Sequence, residues 1–578
     1  MLFASMMVTG CKLGSHSAVE VEAPGPLPSA DSTSVESTAT DSSSARLVSR
    51  EPPVRRETHL DAYRALSSWP FDDGPVDDWN SVRPTWRQYH EYLGQMIVDA
   101  SRNRSINVQR GMTIAMPDGK SGFVEIDLKG FAWQPDDFDE FFLAADYRDS
   151  KLNHQWHEPG LGVPLVVVRH ESTKQPQPGF GRSVPFAATA VLRPVEGTLL
   201  SETSDDVPLV GVLELSNPLR VKRVRVGPDK SVALTRDITA PLAFATHEVH
   251  RHKLRSFLRP SDDEVGNGIC MIEPHEPGRI PIVFVHGLLS DKFTWIDLVN
   301  DLRSVDGFTR HYEIWAFQYA TGQSFQYSAA KFRRELRDLI HHLDPDGSDP
   351  GLKDVVLVGH SMGGLVSKLQ VTESGNALWD SLASRPFRTV DANPQEHDLL
   401  EAMFFFKPVA NISRVVFIGT PHRGSVFAQT LIGRLGSKLV HAPRDRVEMV
   451  AKLIRNNPDL FPMEITQRVP TSVDMLRPDS AILSALYDLS IRPGVKVHTV
   501  IGTEKALAGD NPGDGVVSVA SARHPRAVSE KLVHAKHTEL TESDETFTEL
   551  VRIFREHLHE LDPKHTADSH ALTSIQSP

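Results

Sequence analysis

Residues 355–366 read Val-Val-Leu-Val-Gly-His-Ser-Met-Gly-Gly-Leu-Val, an apolar run followed by a G-x-S-x-G turn around Ser361. The run has the composition of a buried strand, and the residues after the turn continue as a helical stretch to residue 371. Strand, sharp turn and helix in this order predict a nucleophile elbow, in which Ser361 is the nucleophile. Gly359 and Gly363 fit this prediction, because a side chain at either position would collide with the neighbouring backbone. The alternative, a glycine-rich turn with an incidental serine, does not explain the flanking strand and helix.

Apolar runs and amphipathic segments alternate on both sides of this turn. The strand-like runs are residues 279–285, 311–319, 353–358, 413–418 and 495–501, and the helical segments between them include residues 293–303 and 328–343. Runs that are apolar throughout and separated by helices are typical of a mostly parallel sheet that is buried on both faces. The sequence therefore predicts a catalytic domain of the α/β class over residues 270–562.

A serine nucleophile needs a base to take its proton and a carboxylate to orient that base. Asp514 lies in a glycine-flanked loop after the strand-like run 495–501, with Asp510 as the nearest competitor. His537 follows another predicted strand, residues 527–533, and His534 is its alternative. We predict a triad of Ser361, Asp514 and His537.

A further segment, Gly419-Thr-Pro-His-Arg-Gly-Ser425, ends a strand-like run. With His286-Gly287, the turn at Ser361, Asp514-Gly-Val-Val517 and His537, this segment resembles the lipase-like serine esterases of the α/β-hydrolase superfamily. These include the bacterial triacylglycerol lipases and the GPI inositol-deacylase-like proteins. The resemblance covers roughly residues 275–562. It implies the α/β-hydrolase fold and hydrolysis of a carboxylic ester through an acyl-enzyme, with no metal and no cofactor.

In this fold the loop after the first strand supplies one donor to the oxyanion hole, and the residue after the nucleophile supplies the other. The corresponding loop here is Val285-His286-Gly287-Leu288-Leu289. We therefore assign the two donors to the backbone N–H groups of Leu288 and Met362. We expect His286 to hold the loop by hydrogen bonding rather than to act as a base.

Two insertions distinguish the chain from compact members of that family. The first runs from about 375 to 411 and contains Met403-Phe-Phe-Phe406, and the second runs from about 426 to 493. The second contains six apolar residues at helical spacing: Leu431, Leu435, Leu439, Met449, Leu453 and Ile454. These helical insertions are candidates for a lid over an acyl pocket, and the equal alternative is that they are ordinary core.

Residues 55–260 differ in pattern from the catalytic half. They begin with helical periodicity and continue as short alternating strands, and five of the eight tryptophans precede residue 160. We predict an accessory domain of α+β or β-rich architecture with its own core. A structural role is favoured over a role in gating access to the substrate.

The N-terminus suggests where the protein resides. Val8-Thr-Gly-Cys11 resembles a bacterial lipobox, which implies lipid attachment at Cys11 and membrane anchoring in the cell envelope. Residues 1–11 are then a lipoprotein signal, although the apolar run is short and no Lys or Arg precedes it. Residues 12–54 are poor in large apolar side chains and are expected to be a disordered tether, as residues 563–578 are a disordered tail. The alternative is an incidental cysteine in a cytoplasmic protein.

Composition and charge indicate which classes of binding partner are expected. The net charge is -13 and no basic stripe is present, so nucleic acid is not an expected partner. The expected substrate is an ester or a lipid-like small molecule. An acyltransferase with the same triad is the alternative function, and a non-catalytic binding protein of the envelope is a less favoured one.

Overall fold

A computed structural model describes most of the chain from residue 84 onward. The described residues are 84–116, 119–148, 152–171, 178–181, 183–195, 208–226, 231–246, 268–427, 444–462, 472–505 and 511–561. The predictions for Cys11, the tether, the tail, Asp510, Leu431, Leu435 and Leu439 lie outside them.

In the described part of the N-terminal half, the predicted β-rich unit contains the helix α1 (Pro84–Arg102). Its strands are β1 (Met112–Ala115), β2 (Ser121–Lys129), β3 (Glu140–Leu143), β4 (His157–Glu158), β5 (Val163–His170), β6 (Ser183–Pro194), β7 (Leu209–Ser216), β8 (Arg223–Arg225), β9 (Ser231–Ala233) and β10 (Arg236–Asp237). Six of them form one sheet in the order β1-β2-β7-β6-β5-β3, in which only β2 and β7 run parallel.

A separate core holds this unit together. Tyr89, Leu93 and Ile97 on one face of α1 are fully buried against the sheet, at the four-residue spacing of a helix face. The Tyr89 hydroxyl donates to the carbonyl of Leu192 at 2.9 Å, which ties α1 to β6. The prediction of a core of its own for this half is confirmed.

The C-terminal half contains a seven-stranded sheet. Its strands are β11 (Gly268–Met271), β12 (Ile280–Val285), β13 (Tyr312–Gln318), β14 (Val355–His360), β15 (Ile412–Ile418), β16 (Lys496–Gly502) and β17 (Ala527–Val533). The strand order is β11-β13-β12-β14-β15-β16-β17, and only the edge strand β11 is antiparallel to its neighbour. Every residue of β12 and β14 is buried, as the continuous apolar runs predict.

Helices cover both faces of this sheet. Among the described residues of this half, the helices are α2 (Ile296–Ser304), α3 (Phe308–His311), α4 (Phe325–Leu343), α5 (Met362–Lys368), α6 (Ala377–Asp380), α7 (Pro394–Phe404), α8 (Arg444–Asn456), α9 (Ser472–Met475), α10 (Ala481–Asp488), α11 (Val519–Ala522) and α12 (Asp544–Leu561). Helices α4 and α5 share one core with the insertion helices, whereas α2 and α12 pack on the other face. Helix α4 begins three residues before the predicted start, because the Ser324 hydroxyl caps it by accepting from the N–H of Tyr327.

The accessory half contacts the sheet domain along helix α2 and strand β11. The Asp301 carboxylate accepts from the indole of Trp156 at 2.9 Å and lies 3.0 Å from the ring of His154. The N–H of Met271 donates to the carbonyl of Gly179 at 2.6 Å. These contacts join the two halves, and the structural role of the accessory half stays a prediction.

The described parts of the two insertions contain helices, as predicted. The first contributes α6 and α7, and the second contributes α8, α9 and α10. Within the described ranges, no helix combines the length and the apolar character needed to cross a membrane.

Candidate active site

Ser361 occupies the turn between strand β14 and helix α5. Its backbone has φ 55° and ψ -125°, a conformation that a residue with a side chain rarely adopts. The Ser361 N–H donates to the carbonyl of Ile418 on the neighbouring strand at 2.9 Å. The strained turn, held by this bond, places the serine at the carboxyl end of a central strand of the sheet.

Neighbouring atoms leave no space for a Cβ atom at the glycines in and beside the turn. A Cβ atom at Gly363 would lie 2.2 Å from the carbonyl oxygen of Val285, and one at Gly359 would lie 2.7 Å from the carbonyl oxygen of Gly363. A Cβ atom at Gly287 would lie 2.9 Å from the Cβ of Ser361. The collisions expected from the sequence are therefore present, and the loop after β12 approaches the serine directly.

Asp514 and His537 meet in a buried pair. The Nδ1 of His537 lies 2.8 Å from Oδ2 of Asp514, and the His537 N–H donates to the Asp514 carbonyl at 3.0 Å. The other carboxylate oxygen of Asp514 accepts from the N–H groups of Val516 and Val517, at 2.9 and 2.7 Å. With both oxygens engaged, the carboxylate has one orientation toward the imidazole.

His360 links this pair to the serine turn. Its Nε2 donates to the carbonyl of His537 at 3.0 Å, and the two rings lie 4.7 Å apart between centroids. Burial, reinforced by the nearby His537, lowers the pKa of His360 to about 3, so that its ring is neutral. Because His360 immediately precedes Ser361, the structure brings His537 beside the turn. Within the described part of the chain the Ser361 hydroxyl itself makes no hydrogen bond.

His534, the alternative histidine, lies at the surface. The side chain of His534 is exposed, whereas His537 is 8% exposed and faces Asp514. The geometry thus joins His537, and not His534, to the predicted acid.

The two predicted oxyanion donors flank the serine. Met362 is the first residue of α5, where a backbone N–H has no acceptor within the helix. Leu288 follows β12 in the loop that touches Ser361. Among the described residues, neither of these N–H groups has a hydrogen-bond acceptor, whereas the next one, that of Leu289, donates to the Thr321 hydroxyl at 3.2 Å.

His286 holds this loop by hydrogen bonds, as expected. Its Nδ1 lies 3.1 Å from the Gly287 carbonyl, and its Nε2 accepts from the N–H of Tyr319 at 3.3 Å. The Tyr319 hydroxyl donates to the His286 carbonyl at 2.7 Å, and the two rings stack. Burial lowers the pKa of His286 to about 4, and no proton-transfer role follows from this position.

The Thr-Pro-His turn supports the acid loop, a function that the sequence did not reveal. The Ser425 hydroxyl donates to the carbonyl of Val516, whose N–H binds Asp514. A Cβ atom at Gly419 would lie 3.3 Å from the Asp514 carboxylate and 3.2 Å from Nδ1 of His537. The turn therefore packs directly against the Asp514–His537 pair and leaves room for nothing larger than glycine there.

Of the described side chains, one set of three could offer metal ligands close together. His397, Asp398 and Glu401 on helix α7 bring their ligand atoms within 4.8 Å of one another, at the protein surface. They are not part of the cluster around Ser361.

Comparison with known proteins identifies the fold of the C-terminal half. The sequence model of the alpha/beta hydrolase family matches residues 282–549, a range that includes Ser361, Asp514 and His537. The chain carries an α/β-hydrolase domain. A search of curated proteins found no match.

Solved structures similar to the chain include several lipases and esterases. The mature lipase of Bacillus licheniformis is 20% identical with a TM-score of 0.31, and the similarity covers 50% of this chain and 99% of that one. The Staphylococcus hyicus lipase is 15% identical with a TM-score of 0.32, covering 51% and 99%. A metagenomic carboxyl esterase is 16% identical with a TM-score of 0.29, covering 52% and 80%. The assignment of the hydrolase domain rests on the family match and on its own sheet and turn.

Proposed function

We propose that the hydrolase domain cleaves carboxylic esters through an acyl-enzyme on Ser361. The observation that carries the proposal is the buried contact of 2.8 Å between Asp514 and His537, beside the serine turn. A carboxylate fixed by two backbone N–H groups and facing the Nδ1 of a histidine is the arrangement that keeps the opposite ring nitrogen available as a base.

In the proposed reaction the Ser361 oxygen attacks the acyl carbonyl while Nε2 of His537 takes its proton. His537 then returns this proton to the departing alcohol, and a water molecule attacks the acyl-enzyme by the same route. Asp514 orients the ring of His537 and stabilises the imidazolium that forms. The hydrogen bond between Ser361 and His537 forms when substrate binds, as is common for catalytic bonds that are long in the free enzyme.

The negative charge on the tetrahedral intermediate is assigned to the N–H groups of Leu288 and Met362. Both lack an acceptor among the described residues, and both flank Ser361. Donors that are already in place cost no reorganisation when the charge develops, which makes this contribution a large one.

Ser361→Ala provides the first test. It should lower the hydrolysis of p-nitrophenyl butyrate by at least about a thousandfold, because the nucleophile is removed. Thermal unfolding should be unchanged within a few degrees, and a fluorophosphonate probe should label only the unmodified protein. Retained turnover in the variant would exclude Ser361 as the nucleophile. Product analysis with an added alcohol separates hydrolysis from acyl transfer.

We also propose lipid attachment at Cys11, on the strength of the Val-Thr-Gly-Cys sequence and the polar segment that follows it. Attachment at this residue would present the hydrolase domain to esters at a membrane surface. Expression in a bacterial host with an alkyne-tagged fatty acid should label the full chain, and Cys11→Ala should abolish the label. Equal labelling of both proteins would contradict the proposal.

A further inference from the structure

The loop after strand β12 (residues 286–292, the oxyanion loop) contains a strained residue beside the proposed donor Leu288. Leu289 has φ 57°, in the left-handed region that a residue with a bulky side chain rarely occupies. Its side chain is 55% exposed, so burial of this side chain contributes little to holding the conformation. A strained backbone of this kind persists only where the surrounding structure fixes it.

The segment at the end of strand β13 supplies this support. The Leu289 N–H donates to the hydroxyl oxygen of Thr321 at 3.2 Å, across 32 positions in the sequence. At the end of the loop, the N–H of Lys292 donates to the side-chain oxygen of Gln318 at 2.8 Å. Tyr319 forms hydrogen bonds with the beginning of the same loop. The oxyanion loop is therefore held at its beginning, middle and end by one neighbouring segment.

Thr321 is itself held from the second insertion. Its carbonyl accepts from the Ser472 hydroxyl at 2.5 Å, and Ser472 is fully buried as the first residue of helix α9. Two hydrogen bonds thus connect α9, through Thr321, to the peptide group that joins Leu288 and Leu289. This peptide group directly follows the proposed oxyanion donor.

We propose that Thr321 is a positioning residue for the reaction at Ser361. Its hydroxyl accepts from the Leu289 N–H, keeps Leu289 in the left-handed conformation and so holds the N–H of Leu288 toward the developing oxyanion. Ser472 extends this role into the second insertion, because it fixes the segment on which Thr321 lies. The inference rests on the proposed function and adds to it a residue that acts through the backbone.

The effect of Thr321 should be confined to the transition state. The carbonyl oxygen of a bound ester is neutral, whereas the tetrahedral intermediate carries a full negative charge on this oxygen. A misplaced donor at Leu288 therefore lowers kcat and leaves KM nearly unchanged. A residue that served folding alone would change the unfolding temperature and leave kcat near the wild-type value.

The first experiment compares Thr321→Val and Thr321→Ser in full-length protein, with p-nitrophenyl butyrate as the substrate. Valine keeps the branched shape and removes the acceptor, so kcat should fall about tenfold while KM stays within about twofold. This loss is a part of the roughly hundredfold or greater loss that follows complete removal of an oxyanion donor. Serine restores the acceptor, and Thr321→Ser should keep at least about half of the wild-type kcat. A wild-type kcat in Thr321→Val, or equal losses in the two variants, would overturn the proposal.

Ser472→Ala tests the same connection from its other end and also serves if Thr321→Val folds poorly. It should lower kcat about threefold, because Thr321 loses its support. The double variant of Thr321→Val and Ser472→Ala should be about as active as Thr321→Val, because both substitutions act through one connection. Losses that multiply in the double variant would overturn the proposed connection.

Thr309→Val is the matched control. Thr309 precedes strand β13 and Thr321 follows it, and both side chains are half-buried. The Thr309 hydroxyl donates to the carbonyl of Leu219 at 3.5 Å, far from the oxyanion loop in the sequence. This variant should keep the wild-type kcat, and a loss equal to that of Thr321→Val would overturn the proposal.

Amide hydrogen exchange separates this proposal from the proposed reaction. In Thr321→Val, a peptide covering residues 286–292 should exchange faster than in the wild type, and Thr321→Ser should restore the slower rate. Faster exchange without any ester hydrolysis by the wild type would refute the proposed reaction and leave the support of the loop by Thr321 standing. Hydrolysis by the wild type, with unchanged exchange and unchanged kcat in Thr321→Val, would refute the inference about Thr321 alone.

Discussion

Replacing Asp514 by asparagine changes one oxygen into an amide nitrogen and leaves the shape of the buried loop intact. The carbonyl oxygen of the new amide keeps the bonds from the N–H groups of Val516 and Val517, because the opposite orientation would point N–H toward N–H. The amide nitrogen then faces Nδ1 of His537, where the carboxylate oxygen now lies at 2.8 Å. The ring must offer a lone pair to that nitrogen, and its proton moves to Nε2.

A histidine protonated at Nε2 has no lone pair to accept the Ser361 proton. An isosteric change of this kind in a Ser-His-Asp site lowers kcat by about 10⁴, which corresponds to roughly 5.5 kcal/mol of transition-state stabilisation. Replacing the exposed histidine His534 should give no such effect. We expect His534→Ala to stay within about twofold of the wild type, because its side chain is at the surface.

The assay is steady-state hydrolysis of p-nitrophenyl butyrate, with thermal unfolding measured in parallel. Asp514→Asn should lose about three to four orders of magnitude in kcat while its unfolding temperature stays within a few degrees of the wild type. Asp510→Asn should remain near the wild-type rate. A kcat within tenfold of the wild type for Asp514→Asn, or a larger loss for Asp510→Asn, would refute the assignment of the acid.

Two further variants test residues that support the site and the fold. His360→Phe keeps a ring near His537 but removes the hydrogen bond of 3.0 Å to the His537 carbonyl. We expect kcat to fall about tenfold, because His537 loses this support. A loss of thermal stability with an unchanged kcat would contradict the positioning role of His360. The side chain of His275 is buried between two carboxylates: its Nδ1 lies 2.7 Å from Glu313 and its Nε2 lies 2.9 Å from Asp349. Burial lowers the pKa of His275, but the two carboxylates outweigh burial and hold this pKa above its ordinary value of 6.5. Its contribution to stability is therefore complete below pH 6.5 and is lost as the pH rises through the folded-state pKa. His275→Gln should lower the unfolding temperature by on the order of 5 °C at pH 6 and by less at pH 9, and an equal loss at both would exclude an ionic contribution.

The sheet and the serine turn could be predicted because their causes are local. Strands β12 and β14 are buried along their whole length, and such strands are apolar at almost every position; the exception is His360, the last residue of β14. The turn needs glycine at Gly359 and Gly363 because backbone atoms lie within 3 Å of the missing Cβ atoms. Constraints of this kind leave a contiguous pattern in the sequence.

The choice between competing site residues needed three-dimensional information. His534 and His537 are three residues apart and both follow a strand, and only the fold shows that one is exposed while the other faces Asp514. The positioning contact of His360 was not predicted, because it joins residues that are 177 positions apart. The sequence also gave no sign of the buried His275 between two carboxylates, whose partners lie 38 and 74 positions away.

The contacts of Asp514 and His360 with His537 have a kinetic consequence. Substitutions at Asp514 or His360 act on the proton transfer common to every ester, so they should lower kcat/KM for short and long chains by the same factor. The ratio of kcat/KM between p-nitrophenyl laurate and p-nitrophenyl butyrate should therefore stay constant in Asp514→Asn and in His360→Phe. A ratio that changes in either variant would contradict a role in the shared proton transfer.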